Sequence, residues 1–392
     1  MNRKSLSLVK WLCFLAFVLV SSTPSRTGEN PARPSQSSES GGQPSPPAEE
    51  TPLPGMPPVL DPQDIYAADA PNKLDASVQN FPSRIYVPNS ASASVDVIDP
   101  ATYKVVDHFP VGRQPQHIVP SYDLKTLWVL DDKGNSLIKI DPATGAKGET
   151  FPVRDPYNLY FTPNGDYAIV VAESLRDLDF RDPQTMDLKF SLHVPCKGVN
   201  HLDFSANGRY FVASCEFDGK LLKIDVQARK VLGVLELGEK NMPQDVRLSP
   251  NGEVFYVADM VANGVHVIDA QQFTRIGFIP TGKGAHGLFV RRDSKLLYVS
   301  NRGEGSISVV DLADREVTDK WMLPHGGSPD MGGISADGKE LWVAGRYNAE
   351  VYAIDIATGK LIARIPVGKG PHGLCVYPQP GRYSLGHTGM FR

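Results

Sequence analysis

Ile85–Asn89 reads IYVPN and Val95–Pro100 reads VDVIDP, and this pair of phrases recurs down the chain to make seven copies. Leu127–Asp131 (LWVLD) precedes Leu137–Pro142 (LIKIDP), and Tyr210–Cys215 (YFVASC) precedes Leu221–Val226 (LLKIDV). VFYVAD from Val254, LYVSN from Leu297 and LWVAG from Leu341 lead to VHVIDA, ISVVDL and VYAIDI. One copy departs: YAIVVAES is followed by LDFRDP, with Arg181 where the others are apolar. The anchoring aspartates are Asp99, Asp141, Asp182, Asp225, Asp269, Asp311 and Asp355, spaced 41 to 44 residues apart. Short β-branched and aromatic runs at a period near forty, with room for four strands each, predict a β-propeller.

Each copy is expected to hold strands A to D, counted outward from the axis. The A strands fall at Gln116–Ser121, Tyr157–Thr162, Asn200–Ser205, Gln244–Ser249, His286–Arg291, Asp330–Ser335 and His372–Tyr377. TPNG at 162–165, SANG at 205–208, SPNG at 249–252 and SADG at 335–338 supply the positive φ of tight A–B turns. The first B strand, Ile85–Asn89, has no A strand before it, and the last A strand has no complete blade after it. Pairing the two closes the ring and removes two sheet edges. The expected fold is therefore all-β: a seven-bladed propeller of four-stranded blades over residues 83–378.

The ends differ in kind. Residues 1–22 carry Arg3, Lys4 and Lys10 before the apolar run Trp11–Val20, too short to span a bilayer. Small residues follow at Val20 and Ser22, so a secretory signal peptide cut near Ser22 is expected. Residues 23–62 are rich in Pro, Ser, Gly and Glu and read as a disordered linker. Residues 63–82 read as a strap or lead-in, and 379–392 as a tail whose path the repeat does not define. Losing the leader shifts the formal charge from −4 to −7, which argues against nucleic acid as a partner. The mature chain has no membrane span and is expected to be an exported, periplasmic, secreted or surface-tethered monomer.

Without the leader, three cysteines remain. Cys196 precedes an A strand and Cys215 ends the B strand after it, at the same end of one blade, so a disulfide is expected in an oxidising compartment. Cys375 sits mid-strand and reads as core.

Functional candidates cluster where the A strands begin, at one mouth of the central channel. The leading positions hold Gln116, Tyr157, Asn200, Gln244, His286, Asp330 and His372. His286, Asp330 and His372 occupy the same step of three consecutive blades, and two imidazoles with a carboxylate suit a divalent metal. Arg302 and Arg346 flank the trio and would favour anionic groups. Asp131, Glu173 and Asp259 make the opposite arc acidic. His117 and His201 lie one residue out of register, and strict alternation sends them to the other face. A hydrated polar mouth with no dedicated ligand fits the same residues.

The YVxN…VxVID copies closely resemble the YVTN-repeat family of seven-bladed propellers, over about Ser83–Tyr377. More distantly the chain resembles the haem d1 propeller of cytochrome cd1 nitrite reductase and the propeller subunits of amine dehydrogenases. No C-x-x-C-H motif is present, so no covalent haem is expected. The resemblance implies an extracytoplasmic propeller with a binding role. The first hypothesis is thus a binding or scaffolding module for a protein or small ligand at the mouth. The alternative is a metal- or cofactor-dependent lyase, hydrolase or oxidoreductase using the His286/Asp330/His372 face. No Gly-rich phosphate loop, G-x-S-x-G elbow or H-E-x-x-H is found.

Overall fold

Every signature aspartate closes the turn after its strand. Asp99, Asp141, Asp182, Asp225, Asp269, Asp311 and Asp355 each accept a backbone N–H from two or three residues on, at 2.6 to 3.2 Å. The repeat therefore records turn chemistry shared by all blades rather than a shared site. In this computed structural model the described residues are 51–392, so the expected leader and most of the linker lie outside them.

The strands assemble into seven antiparallel blades. Blade 1 runs Cys375–Tyr377, Arg84–Asn89, Ser94–Asp99, Lys104–Pro110 from the axis outward. Its A strand comes from the far end of the chain, with Ile85 opposite Val376, so the ring closes as expected. Blades 2 to 7 follow in sequence, their A strands being Pro115–Pro120, Pro156–Phe161, Val199–Phe204, Pro243–Leu248, Ala285–Val290 and Pro329–Ile334. Gly165, Gly208, Gly252 and Gly338 in the A–B turns take φ of 70–75°, which glycine adopts without strain. The core lies between blades: Ile169 and Val171 of blade 3 pack with Leu202, Phe204 and Phe211 of blade 4, all at most 1% exposed. Arg181, the exception in the repeat, is buried against Asp179 at 2.8 Å, so the departure is a matched pair.

The linker boundary expected at Pro62 needs correction. The strap begins by Thr51: Leu53 is buried and its N–H reaches Asn207 O at 2.8 Å, with Met56 and Val59 packed nearby. Sparse apolar residues in a polar stretch each fill a gap between blades, which average composition conceals. From there the strap follows the face of the A–B turns, bonding Pro250 through Ile65 and Ala336 through Asn72.

The C-terminal tail closes the same face. Ser384–Gly386 and Met390–Phe391 form a small hairpin that joins blade 3 beside its A strand, giving a six-stranded sheet. Leu385, Met390 and Phe391 are buried, and Arg392 pairs with buried Asp203 at 3.1 Å. The hairpin tip reaches into the channel, where the His387 N–H donates to Leu159 O at 2.7 Å. With one face covered by strap and tail, the face of the B–C turns is left uncovered by the described residues.

Candidate functional site: the channel and its open mouth

The A strands of blades 2 to 7 lose register with their B strands at the outset. The break falls between Pro115 and His117, Pro156 and Asn158, Val199 and Leu202, Pro243 and Val246, Ala285 and Leu288, and Pro329 and Gly332. An extra residue at a bulge re-aims the side chains around it. Strict alternation therefore fails here, and His117 and His201 turn into the channel. The His117 and His372 ring centres are 4.8 Å apart, and those of His201 and His286 are 6.3 Å apart.

His286, Asp330 and His372 meet in one arc. Asp330 Oδ1 lies 2.9 Å from His286 Nδ1 and Oδ2 lies 3.8 Å from His372 Nε2. One donor atom from each of the three falls within 4.8 Å of the others. Arg302 Nη1 sits 3.3 Å from the same carboxylate and Arg346 Nε sits 4.0 Å from it. Burial alone would raise the Asp330 carboxyl, but His286, Arg302 and His372 hold it well below the usual range. All three of the trio are at most 2% exposed, so this floor is packed rather than freely hydrated. Two guanidiniums already balance one carboxylate. A dication here would face their repulsion, whereas a neutral or anionic group would not.

The remaining leading residues surround this floor. Gln116, Asn200 and Gln244 are buried; Asn200 donates to Glu216 at 2.6 Å and Gln244 to Met242 O at 3.2 Å. Tyr157 lends its backbone oxygen to His117 Nδ1 at 2.8 Å. The acidic arc needs revision. Asp131 bonds Gly112 N and Ser136 Oγ, and Asp259 bonds Met242, Val261 and Ala262 N–H groups. Both therefore serve turns and present little free charge. Glu173 and Glu216, at the first B–C turn position of blades 3 and 4, carry the acidity instead. Arg302 and Arg346 hold that position in blades 6 and 7.

Burial, then repulsion from Glu216, pushes the Glu173 carboxyl up to about 8. The folded protein keeps this proton up to about pH 8, whereas an unfolded Glu releases it near 4.5. Its stabilising contribution is full below pH 4.5 and lost as pH rises through 8. The Glu173→Gln variant should gain melting temperature over the parent, by an increment that grows from pH 5 to pH 9. Parallel melting curves across that range would refute the assignment.

His387 escaped the sequence reading. It sits in the tail, which has no counterpart in the repeat, yet joins His117 and His201: one ring nitrogen from each lies within 4.8 Å of the others. A signal was present, since Tyr383–Phe391 (YSLGHTGMF) has apolar residues on both sides of a glycine-bracketed turn.

These features define a seven-bladed propeller with its channel stopped at one end and a polar floor at the other. The YNCE-like β-propeller family model matches residues 55–381, and the chain belongs to that family. It is 22% identical over 340 residues to antigen Lp49 of Leptospira interrogans, covering 76% of this chain and 71% of that protein. It is 23% identical over 263 residues to the uncharacterized protein YncE of Salmonella typhimurium, covering 63% and 73%. Among solved structures, hydrazine synthase of Kuenenia stuttgartiensis superposes with a TM-score of 0.62 at 19% identity, covering 70% of this chain and 93% of that one. Dihydro-heme d1 dehydrogenase NirN in complex with DHE gives 0.58 at 14%, covering 82% of each. At these identities the structural likeness shows the fold alone.

Proposed function

We propose that the protein is an exported binding module that receives a protein or peptide partner on the B–C turn face. One observation carries this reading. Phe217, Val261 and Tyr347, at the same turn position of blades 4, 5 and 7, are 56%, 48% and 72% exposed on the face that strap and tail leave open. Exposed aromatics beside arginine are the usual anchors of an interface. Here Tyr347 lies 5.4 Å from the Arg302 guanidinium. Glu173 and Glu216 on one side and Arg302 and Arg346 on the other suit a partner with both signs of charge. Export agrees with the basic, then apolar N-terminus and with the joined Cys196 and Cys215. Among the described residues no helix is long and apolar enough to cross a membrane.

The enzymatic alternative finds less support. Asp330 is already paired with His286 and Arg302, so a metal in that trio would have to compete with both. The test is a variant with Phe217→Ser and Tyr347→Ser. Both side chains are surface groups, so its melting temperature should match the parent. Its affinity for a partner that co-fractionates with the parent from the native host should fall roughly 10²- to 10³-fold, at about 2 kcal/mol per aromatic anchor. Unchanged co-fractionation would overturn the reading.

A further inference from the structure

We propose that His117, His201 and His387 form a three-imidazole site for a divalent first-row transition metal of the zinc or copper class, closed by the C-terminal hairpin. The site lies deeper than the mouth and does not depend on the binding role proposed for it. All three rings are fully buried, and Nε2 of each has no hydrogen-bond partner among protein groups. One nitrogen of each ring lies within 4.8 Å of the others, and three unpaired imidazole nitrogens in one buried cluster are uncommon, because buried polar atoms are ordinarily satisfied.

The outer contact of His117 is that of a ligating histidine. His117 Nδ1 lies 2.8 Å from Tyr157 O, which can only accept, so Nδ1 carries the proton and Nε2 keeps its lone pair. The Asn158 amide nitrogen stands 3.1 Å from Nδ1 of both His201 and His387. As placed, that amide donates to both Nδ1 atoms and keeps their protons on Nε2; metal binding requires it to turn, so that its oxygen accepts from both Nδ1–H groups and the Leu159 N–H, which would then face an NH2, finds another partner. Asp245 Oδ1 lies 3.6 Å from His387 Nε2, and its other oxygen is paired with Arg247 at 3.5 Å. Tetrahedral bonds of about 2.0–2.1 Å set ligand nitrogens roughly 3.4 Å apart, so the present spread of up to 4.8 Å closes by small ring movements. The Arg247 guanidinium stands beside this site and is paired with Asp245, whereas two guanidiniums approach Asp330 at the mouth.

The backbone makes room for the imidazoles. A Cβ on Gly373 would lie 2.1 Å from His117 Cδ2, and one on Gly386 would lie 2.4 Å from Tyr160 Cα. His387 itself holds φ of 50°, a left-handed conformation that non-glycine residues seldom adopt. Because the third ligand arrives with the tail, loading the metal should be coupled to docking of the hairpin.

Titrating the purified full chain with Co²⁺ tests this. One equivalent should bind with the visible bands of a four-coordinate ion, and Zn²⁺ should displace it and raise the melting temperature. The near-isosteric His387→Gln or His117→Gln should weaken binding at least 100-fold and remove the Zn²⁺-dependent shift, while His286→Asn should keep both. Absence of binding in the parent overturns the proposal. So does binding lost in His286→Asn but kept in His387→Gln, which moves the metal to the mouth. Should His387→Gln fail to fold, His117→Gln and His201→Gln decide by the same readouts. The Phe217→Ser/Tyr347→Ser variant should bind Co²⁺ as the parent does, which separates this result from the partner test.

Discussion

Deleting residues 370–392 should leave no cooperatively folded ring. The segment supplies the innermost strand of blade 1, without which Arg84–Asn89 loses its partner and two sheet edges open. It also removes Leu374, Val376, Tyr377, Tyr383, Leu385, Met390 and Phe391, all at most 4% exposed. At about 1.5–3 kcal/mol for each buried apolar side chain the loss exceeds 10 kcal/mol, against a total stability of about 5–15. A shorter deletion, of residues 383–392, keeps Cys375–Tyr377 in place and should melt cooperatively at a lower temperature. Circular dichroism melting of both checks this; a 370–392 deletion that melts like the parent would refute ring closure by this strand.

Removing the Cys196–Cys215 bridge should cost about 3 kcal/mol. The bridge spans 19 residues of one blade, with Cα atoms 6.0 Å apart, and a loop of that size releases roughly this much chain entropy when opened. It also joins the loop before blade 4's A strand to the end of its B strand, where Val199 faces Cys215. Both sulfurs are buried, so a Cys196→Ala/Cys215→Ala variant is a cleaner probe than a reductant. Denaturant unfolding should show a lower midpoint and a slope somewhat steeper than the parent's, because the unlinked denatured chain exposes more surface. Matching midpoints would mean that the bridge does not constrain the unfolded chain. Cys375, the remaining cysteine of the described residues, is inert by burial, which pushes its thiol up.

The ring was readable because seven copies of one phrase report the same strands and turns, and a missing A strand at one end matched a spare one at the other. The disulfide was readable because both cysteines fall at defined steps of one copy. The channel interior was less so. Gln116-His117, Asn200-His201 and Gln244-Asp245 place two polar residues in succession in strands buried on both faces. That is the mark of a bulge, but alternation read it as one residue in and one out. The strap from Thr51 and the tail with His387 occur once each, so no period locates them. Their places are set by apolar residues that fit gaps in the finished ring, which is tertiary information. The rim acids show the same limit: Asp131 and Glu173 are neighbours by blade step, yet one serves a turn and the other faces the mouth.

The most direct test of the central claim, that the B–C turn face is the working surface, is site-specific photo-crosslinking in the native host. A photoreactive residue at position 347 lies on the open face, and one at position 251 lies in an A–B turn on the face lined by the strap. A discrete adduct is expected from position 347 that Phe217→Ser abolishes, and none from position 251. An adduct from 251 with none from 347 would contradict the claim.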